Sequence, residues 1–224
     1  LPSLHINYDM ADDVKLRLSY STGISRPSYI ESRAAASIGI ITQEITGGNP
    51  FLKEEESWGI DAAFEWYYDE ASLFSVTVFH REIDNVISES NSKVDGSLYS
   101  DSAEPGELWD LAAFGNGKDG ELQGLEISIN ARMDNYIDGF FSGFGASLNV
   151  ALIESEYTTP EGKVFALPGQ SDTNYNASVF YEDHGFSARL TYRYRSEWLD
   201  ETETGAVFNL CLLYTSDAAD DVVG

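Results

Sequence analysis

Two runs, Trp58–Tyr68 and Leu73–Ile83, constrain this chain more than any other stretch. In the first, Trp58, Ile60, Ala62, Phe64, Trp66 and Tyr68 occupy one parity, and Gly59, Asp61, Ala63, Glu65 and Tyr67 the other. Successive side chains of a strand point to opposite faces, so the run predicts one apolar face and one small or charged face. Each run has 11 residues. That is close to the ~9–11 that a tilted strand needs to cross a bilayer. Only Asp69–Ser72 separates the runs, which predicts a tight hairpin.

The same pattern recurs three more times. Leu4, Ile6 and Tyr8 lead through Met10–Asp13 to Val14, Leu16, Leu18 and Tyr20. Leu125, Ile127, Ile129, Ala131 and Met133 lead through a turn near 135–140 to Phe144, Ala146, Leu148, Val150 and Leu152. Tyr175, Ala177, Val179 and Tyr181 lead through Glu182–Gly185 to Phe186, Ala188, Leu190, Tyr192 and Tyr194. Eight strands in four hairpins follow, with short turns at one end and long connections at the other. The long segments are Gly23–Ser57, Asp84–Glu121 and about Glu154–Ser171, all read as loops. Within the first, Ala34–Ile45 reads as a short helix or an added strand.

Polarity then separates a soluble sheet from a membrane one. Trp and Tyr sit near strand ends on the apolar face (Tyr8, Tyr20, Trp58, Trp66, Tyr68, Tyr181, Tyr192, Tyr194), as interfacial girdles require. The opposite face carries mid-strand charge (Arg17, Asp61, Glu65, Glu126, Arg132, Arg189, Arg193), which suits a wet lumen and not a dry core. No window of 18 consecutive apolar residues marks a membrane helix, but barrel strands cross without one. The expected fold is all-β: part of an antiparallel up-and-down transmembrane β-barrel.

With 13 basic against 38 acidic residues the net charge is −25, which excludes a nucleic-acid partner because nothing neutralises phosphates. His5, His80 and His184 fall on separate hairpins without ligand spacing, so no metal or cofactor is expected. No nucleophile–base set or phosphate loop is present, and an enzyme is not expected. The single cysteine, Cys211, opens CLLYTSDAAD, which looks like a transposase sequencing adapter translated in frame. Residues 211–224 are therefore expected to be a non-native tail on a 1–210 domain; the other reading is a strand over Phe208–Tyr214. The chain begins in mid-pattern, as a piece of a larger protein would.

Several pieces, in this order, resemble the barrel of TonB-dependent outer-membrane receptors: LPSLHINYDMADDVKLRLSYSTGISRPSY, GGNPFLKEEESWGIDAAFEWYYDEASLFSVTVFHREIDNVI, GELQGLEISI and ALPGQSDTNYNASVFYEDHGFSARLTYRYRSEWLD. The GNP-x-L-x-x-E segment entering a strand, followed by an aromatic strand end, is fairly specific to these receptors. The resemblance is nearest to receptors importing carbohydrates and other scarce nutrients. It implies eight strands of a 22-stranded barrel in the bacterial outer membrane, contacting lipid and a small nutrient. It also implies a TonB complex engaged through an N-terminal region outside these residues. A passive porin and a secreted glycan-binding β-domain are the rivals.

Candidate ligand contacts are Tyr99, Trp109 and Phe114 among the acids of Asp84–Glu121, with Glu126, Arg132, Arg189 and Arg193 on the polar face. The loop aromatics suit stacking on sugar rings, and equally suit folding the loop on itself. Arg26, Pro27 and Tyr29 read first as a strand-ending turn, and Glu54–Glu56 as a solvated loop face.

Overall fold

The computed structural model describes residues 1–199 and the backbone of the Ala206–Val207 strand. In chain order the strands are β1 (Ser3–Ala11), β2 (Val14–Ser25), β3 (Ala36–Gly39), β4 (Glu44–Gly47), β5 (Glu55–Asp69), β6 (Ser72–Asp84), β7 (Ile87–Asp95), β8 (Leu108–Asn116), β9 (Gly120–Arg132), β10 (Phe144–Thr158), β11 (Val164–Phe165), β12 (Thr173–Asp183), β13 (Phe186–Arg195), β14 (Trp198–Leu199) and β15 (Ala206–Val207). One helical turn, α1 (Tyr29–Ser32), follows β2. Among the described residues no helix is long and apolar enough to cross a membrane, which says nothing of strands that do.

Eight strands form one antiparallel wall in the order β1-β2-β5-β6-β9-β10-β12-β13, with β11 attached to β10. All four predicted hairpins are present, and each meets the next along the wall. Register carries the apolar face across every strand: Tyr8, Leu16, Phe64, Val76, Ile127, Val150, Tyr175 and Tyr194 lie in one hydrogen-bonded row. A one-residue slip anywhere would turn a strand inside out, so the apolar pattern itself sets the register. The wall is an open sheet, and its apolar face is bare: Leu4, Ile6, Leu18, Val78, Val179 and Leu190 are all exposed.

The short turns differ in kind. His184 and Gly185 both have positive φ, 52° and 76°, which matches the strand twist in a two-residue hairpin. The connection expected at 135–140 is longer, running from Met133 into a 3-10 turn at Gly139–Gly143.

The long connections depart most from expectation. Asp84–Glu121, read as a loop, contains the β7–β8 hairpin and the first residues of β9. Residues 34–45, left between helix and strand, contribute β3 and the start of β4. Together these form a second, four-stranded sheet in the order β3-β4-β8-β7, with β4 and β8 parallel. Alternation did not betray it, because β7 (ISESNSKVD) is polar on both faces and the β4–β8 pairing spans some 65 residues of sequence. The third connection is also shorter than expected, since β10 runs to Thr158 and pairs back with β11. At SRPSY, β2 stops at Ser25 before Pro27, and Ser28 caps α1 in a reciprocal capping box with Glu31. The expected tail, 211–224, and the alternative strand Phe208–Tyr214 lie outside the described residues.

Candidate lumen wall and outer loops

The polar face of the wall is cross-linked from strand to strand. Arg17 on β2 makes a forked pair with Glu65 on β5, at 2.7 and 3.1 Å, and reaches Asn7 on β1 at 3.1 Å. Asp61 on β5 accepts from Ser19 on β2 at 2.9 Å and from Arg81 on β6 at 2.7 Å. These four charges thus pair with their opposites on neighbouring strands through charge-assisted bonds. Large rings cover small residues on the same face. Phe79 lies over Gly124, and Phe180, beneath the Arg189 guanidinium, lies over Gly145.

Of the predicted contacts, Glu126, Arg132, Arg189 and Arg193 are all on this polar face, but not in one cluster. Arg132 and Arg189 sit near the short-turn end, where Glu182 lies between them at 3.7 and 3.6 Å. Arg193 and Glu126 lie further along, beside an open groove of about 500 Å³ whose polar lining includes Ser128, Asn149, Asn174, Asn176 and Arg195. Ser128 donates to Asn149 at 2.7 Å, while the side-chain oxygen of Asn176 is buried without a partner. Arg195 is committed to Ser171 and Gly169 and stacks on Trp198, 4.1 Å from its ring centre. The asparagines were missed because a neutral amide on a polar parity attracts no notice until register aligns three of them on adjacent strands.

The outer loops fold into a unit of their own. Trp109, 1% exposed, centres a small core with Ile45 and Ala103, flanked by Val94 and Leu111. Gly96 lies against its indole so closely that a Cβ there would stand 2.6–2.8 Å from ring atoms. At that exposure the ring is enclosed within the loops. Tyr99 remains exposed and Phe114 half-buried, so the three aromatics do not share one surface.

The GNP motif explains how this sheet is fastened to the wall. A Cβ at Gly48 would stand 2.6–2.8 Å from the carbonyls of Arg33, Ile30 and Glu31, so only glycine allows the close approach. Asn49 then donates to the Phe114 carbonyl at 3.0 Å and accepts from the Phe51 amide at 2.9 Å. Ser90 of β7 donates to Glu161 in the third connection at 2.6 Å, holding that carboxyl below its usual range. Asp95 is likewise held low, by the Ser97 hydroxyl first and then the Ser97 and Gly106 amides. Among the described residues no group of three or more His, Cys, Asp or Glu is placed to hold a metal ion.

The sequence model for the TonB-dependent receptor-like β-barrel matches residues 1–217. No curated protein matches the chain in sequence. Among solved structures, the ferric enterobactin receptor of Pseudomonas aeruginosa is similar over 89% of this chain and 28% of its own, with 18% identity and a TM-score of 0.67. The siderophore receptor PirA of Acinetobacter baumannii matches 88% of this chain and 28% of its own, at 15% identity and TM-score 0.60. The FrpB iron transporter of Neisseria meningitidis matches 92% and 27%, at 13% identity and TM-score 0.57. At such identities the likeness is one of fold, and the chain spans little more than a quarter of the length of these structures. The matched length, the strand order and the two-faced wall agree: the chain belongs to the TonB-dependent receptor family, as part of its β-barrel.

Proposed function

We propose that this chain forms wall and outer loops of an active transporter in the bacterial outer membrane, one that takes up a small scarce nutrient with energy from the TonB complex. One observation carries the reading. Over the middle of the strands, polarity is divided between the two faces of the wall across all eight strands, as a lumen inside and lipid outside require. The TonB contact belongs to a part of the longer protein outside these residues. The chain's own groups bind and shape a path, and no bond-making step is assigned to them.

For the ligand, the outer loops favour a neutral or cationic nutrient, such as a saccharide. Asp84–Glu121 holds nine acidic residues against Lys93 and Lys118, and a negative mouth slows an approaching anion. A second reading, an anionic ferric chelate, is favoured by Arg193 beside the amide-lined groove. The test is uptake by cells carrying the full-length gene, with and without TonB. TonB-dependent uptake of an oligosaccharide supports the proposal, and uptake independent of TonB identifies a passive pore. TonB-dependent uptake of a ferric chelate alone keeps the transporter and replaces the ligand.

A further inference from the structure

Four long strands run past the point where their outward face is apolar. On β10 the outward series is Leu148, Val150 and Leu152, then Glu154 and Glu156, while inward Ile153 is half-covered and Tyr157 buried. On β9 Leu125 gives way outward to Gln123 and Glu121, with Leu122 turned inward; on β6 Val78 gives way to His80, Glu82 and Asp84, with Ile83 inward. On β5 Trp58 is followed by Glu56. On β6, β9 and β10 the apolar side thus changes from outside to inside near the outer end, while on β5 the outward apolar series simply stops at Trp58. Inside, the loops supply the partners: Tyr157 packs on Phe165 of β11, and Val86 is buried against Gly120.

The change is ordered across the wall. The row through Tyr194, the last outward aromatic of β13, reaches β5 at Phe64, six residues short of Trp58. At the short-turn end, Trp66 is the last outward aromatic of β5 before the bulge that carries Tyr68, and its row reaches β13 at Tyr192, six residues short of Phe186, the first outward aromatic there. Both limits therefore descend by six residues over five strand-to-strand steps. With ~3.3 Å per residue and ~4.8 Å between strands, that slope corresponds to a strand tilt of about 40°. Membrane barrels have strands tilted by ~35–45°. The two limits are eight residues apart on both β5 (Trp58 to Trp66) and β13 (Phe186 to Tyr194). At that tilt eight residues rise about 20 Å, against an apolar band of ~25 Å. Each indole N–H of β5 also points out of the band, Trp58 to Glu82 and Trp66 to Asp13, both at 3.1 Å.

We infer that the two surfaces of the bilayer cross this wall along these parallel slanted lines, Trp58 to Tyr194 and Trp66 to Phe186. The outer ends of β5, β6, β9 and β10 then stand clear of the hydrocarbon, with carboxylates facing outward and loops packed within. The inference rests on the outer-membrane reading above and deepens it by fixing the depth of each residue.

The test uses the full-length protein carrying no cysteine other than the labelled one, in phosphatidylcholine–phosphatidylglycerol vesicles. Single nitroxide labels are placed at Val78→Cys, Glu82→Cys, Phe64→Cys and Tyr194→Cys. Collisions with lipid-soluble oxygen and with a water-soluble nickel chelate are compared. The inference expects oxygen to dominate at 78 and 64, nickel to dominate at 82, and a several-fold lower oxygen-to-nickel ratio at 194 than at 64. Equal depth at 64 and 194, which share one row, overturns the slanted limits. Oxygen dominance at 82 overturns the raised outer ends. Nickel dominance at all four removes the membrane reading on which both depend. An independent check is refolding into the same vesicles, where Leu148→Arg, midway between the two limits, should be markedly less stable and Glu154→Arg unchanged; equal losses count against the outer limit.

Discussion

Asn116 and Lys53 exchange two hydrogen bonds: the Lys53 amide donates to the Asn116 side-chain oxygen at 2.8 Å, and the Asn116 amide group donates to the Lys53 carbonyl at 3.0 Å. The same group also donates to the Asn85 carbonyl at 2.8 Å. One side chain thus joins the end of β8 to the segments entering β5 and leaving β6, where the loop sheet meets the wall. Asn116→Ala removes three hydrogen bonds, each worth ~0.5–1.5 kcal/mol net, so the junction should weaken by about 2–3 kcal/mol. Amide exchange should speed up over residues 36–55 and 85–119, while β9 and β10 keep their protection. Uniform loss across the wall would show that the loops and wall unfold as one.

Gly96 faces the indole of Trp109, the largest buried side chain. Gly96→Ala must displace the ring or the 3-10 turn that Gly96 opens, an overpacking cost of ~1–3 kcal/mol. A red shift and stronger quenching of tryptophan emission, lost on Trp109→Phe, would report the displaced indole. An unshifted spectrum would mean that the turn yields instead.

Facing can be checked at adjacent residues of β9. Ile129 shares the apolar face with Phe74 and Leu148, and Ser128 bonds Asn149 on the polar face. In the full-length barrel, Ile129→Arg should cost ~2–4 kcal/mol near mid-bilayer. Ser128→Arg gives up one hydrogen bond, about 1 kcal/mol. Denaturant-induced unfolding from vesicles measures both, and equal losses would reverse the assignment of faces.

Asp95 organises the turn between β7 and β8, accepting from the Ser97 amide and hydroxyl and from the Gly106 amide, at 3.0, 2.7 and 3.0 Å. These donors favour the carboxylate and hold it below its ordinary value. A carboxyl depressed on folding stabilises the turn above its unfolded pKa, and the contribution is lost as pH falls through the folded value. The Ser97 and Gly106 amide resonances should therefore hold their positions from neutral pH down to the ordinary aspartate range and move only below it. In Asp95→Asn they should be displaced at neutral pH and insensitive to acid.

Alternation by itself determined the wall. A period of two on Trp58–Tyr68, repeated in seven further runs, sets which side chains share a face. Short turns dictate the pairing within each hairpin, because so short a link brings the second strand back against the first. The strands' outer ends were legible only in part: Glu154, Glu156 and Glu121 interrupt the apolar parity, so the runs seemed to stop where the environment changes and the strands continue. The loop sheet was decided by tertiary structure. Its β4–β8 pair joins residues distant in the chain, and β7 is polar on both faces, so no local period could announce it. The fate of Trp109 was decided there as well. Its neighbours Ile45 and Val94 come from other strands, and only their convergence covers the ring. The same holds for the polar face, where Arg17 and Glu65 lie 48 residues apart in sequence. Parity put each of them on that face, but only register across separate hairpins brought the two charges within bonding distance.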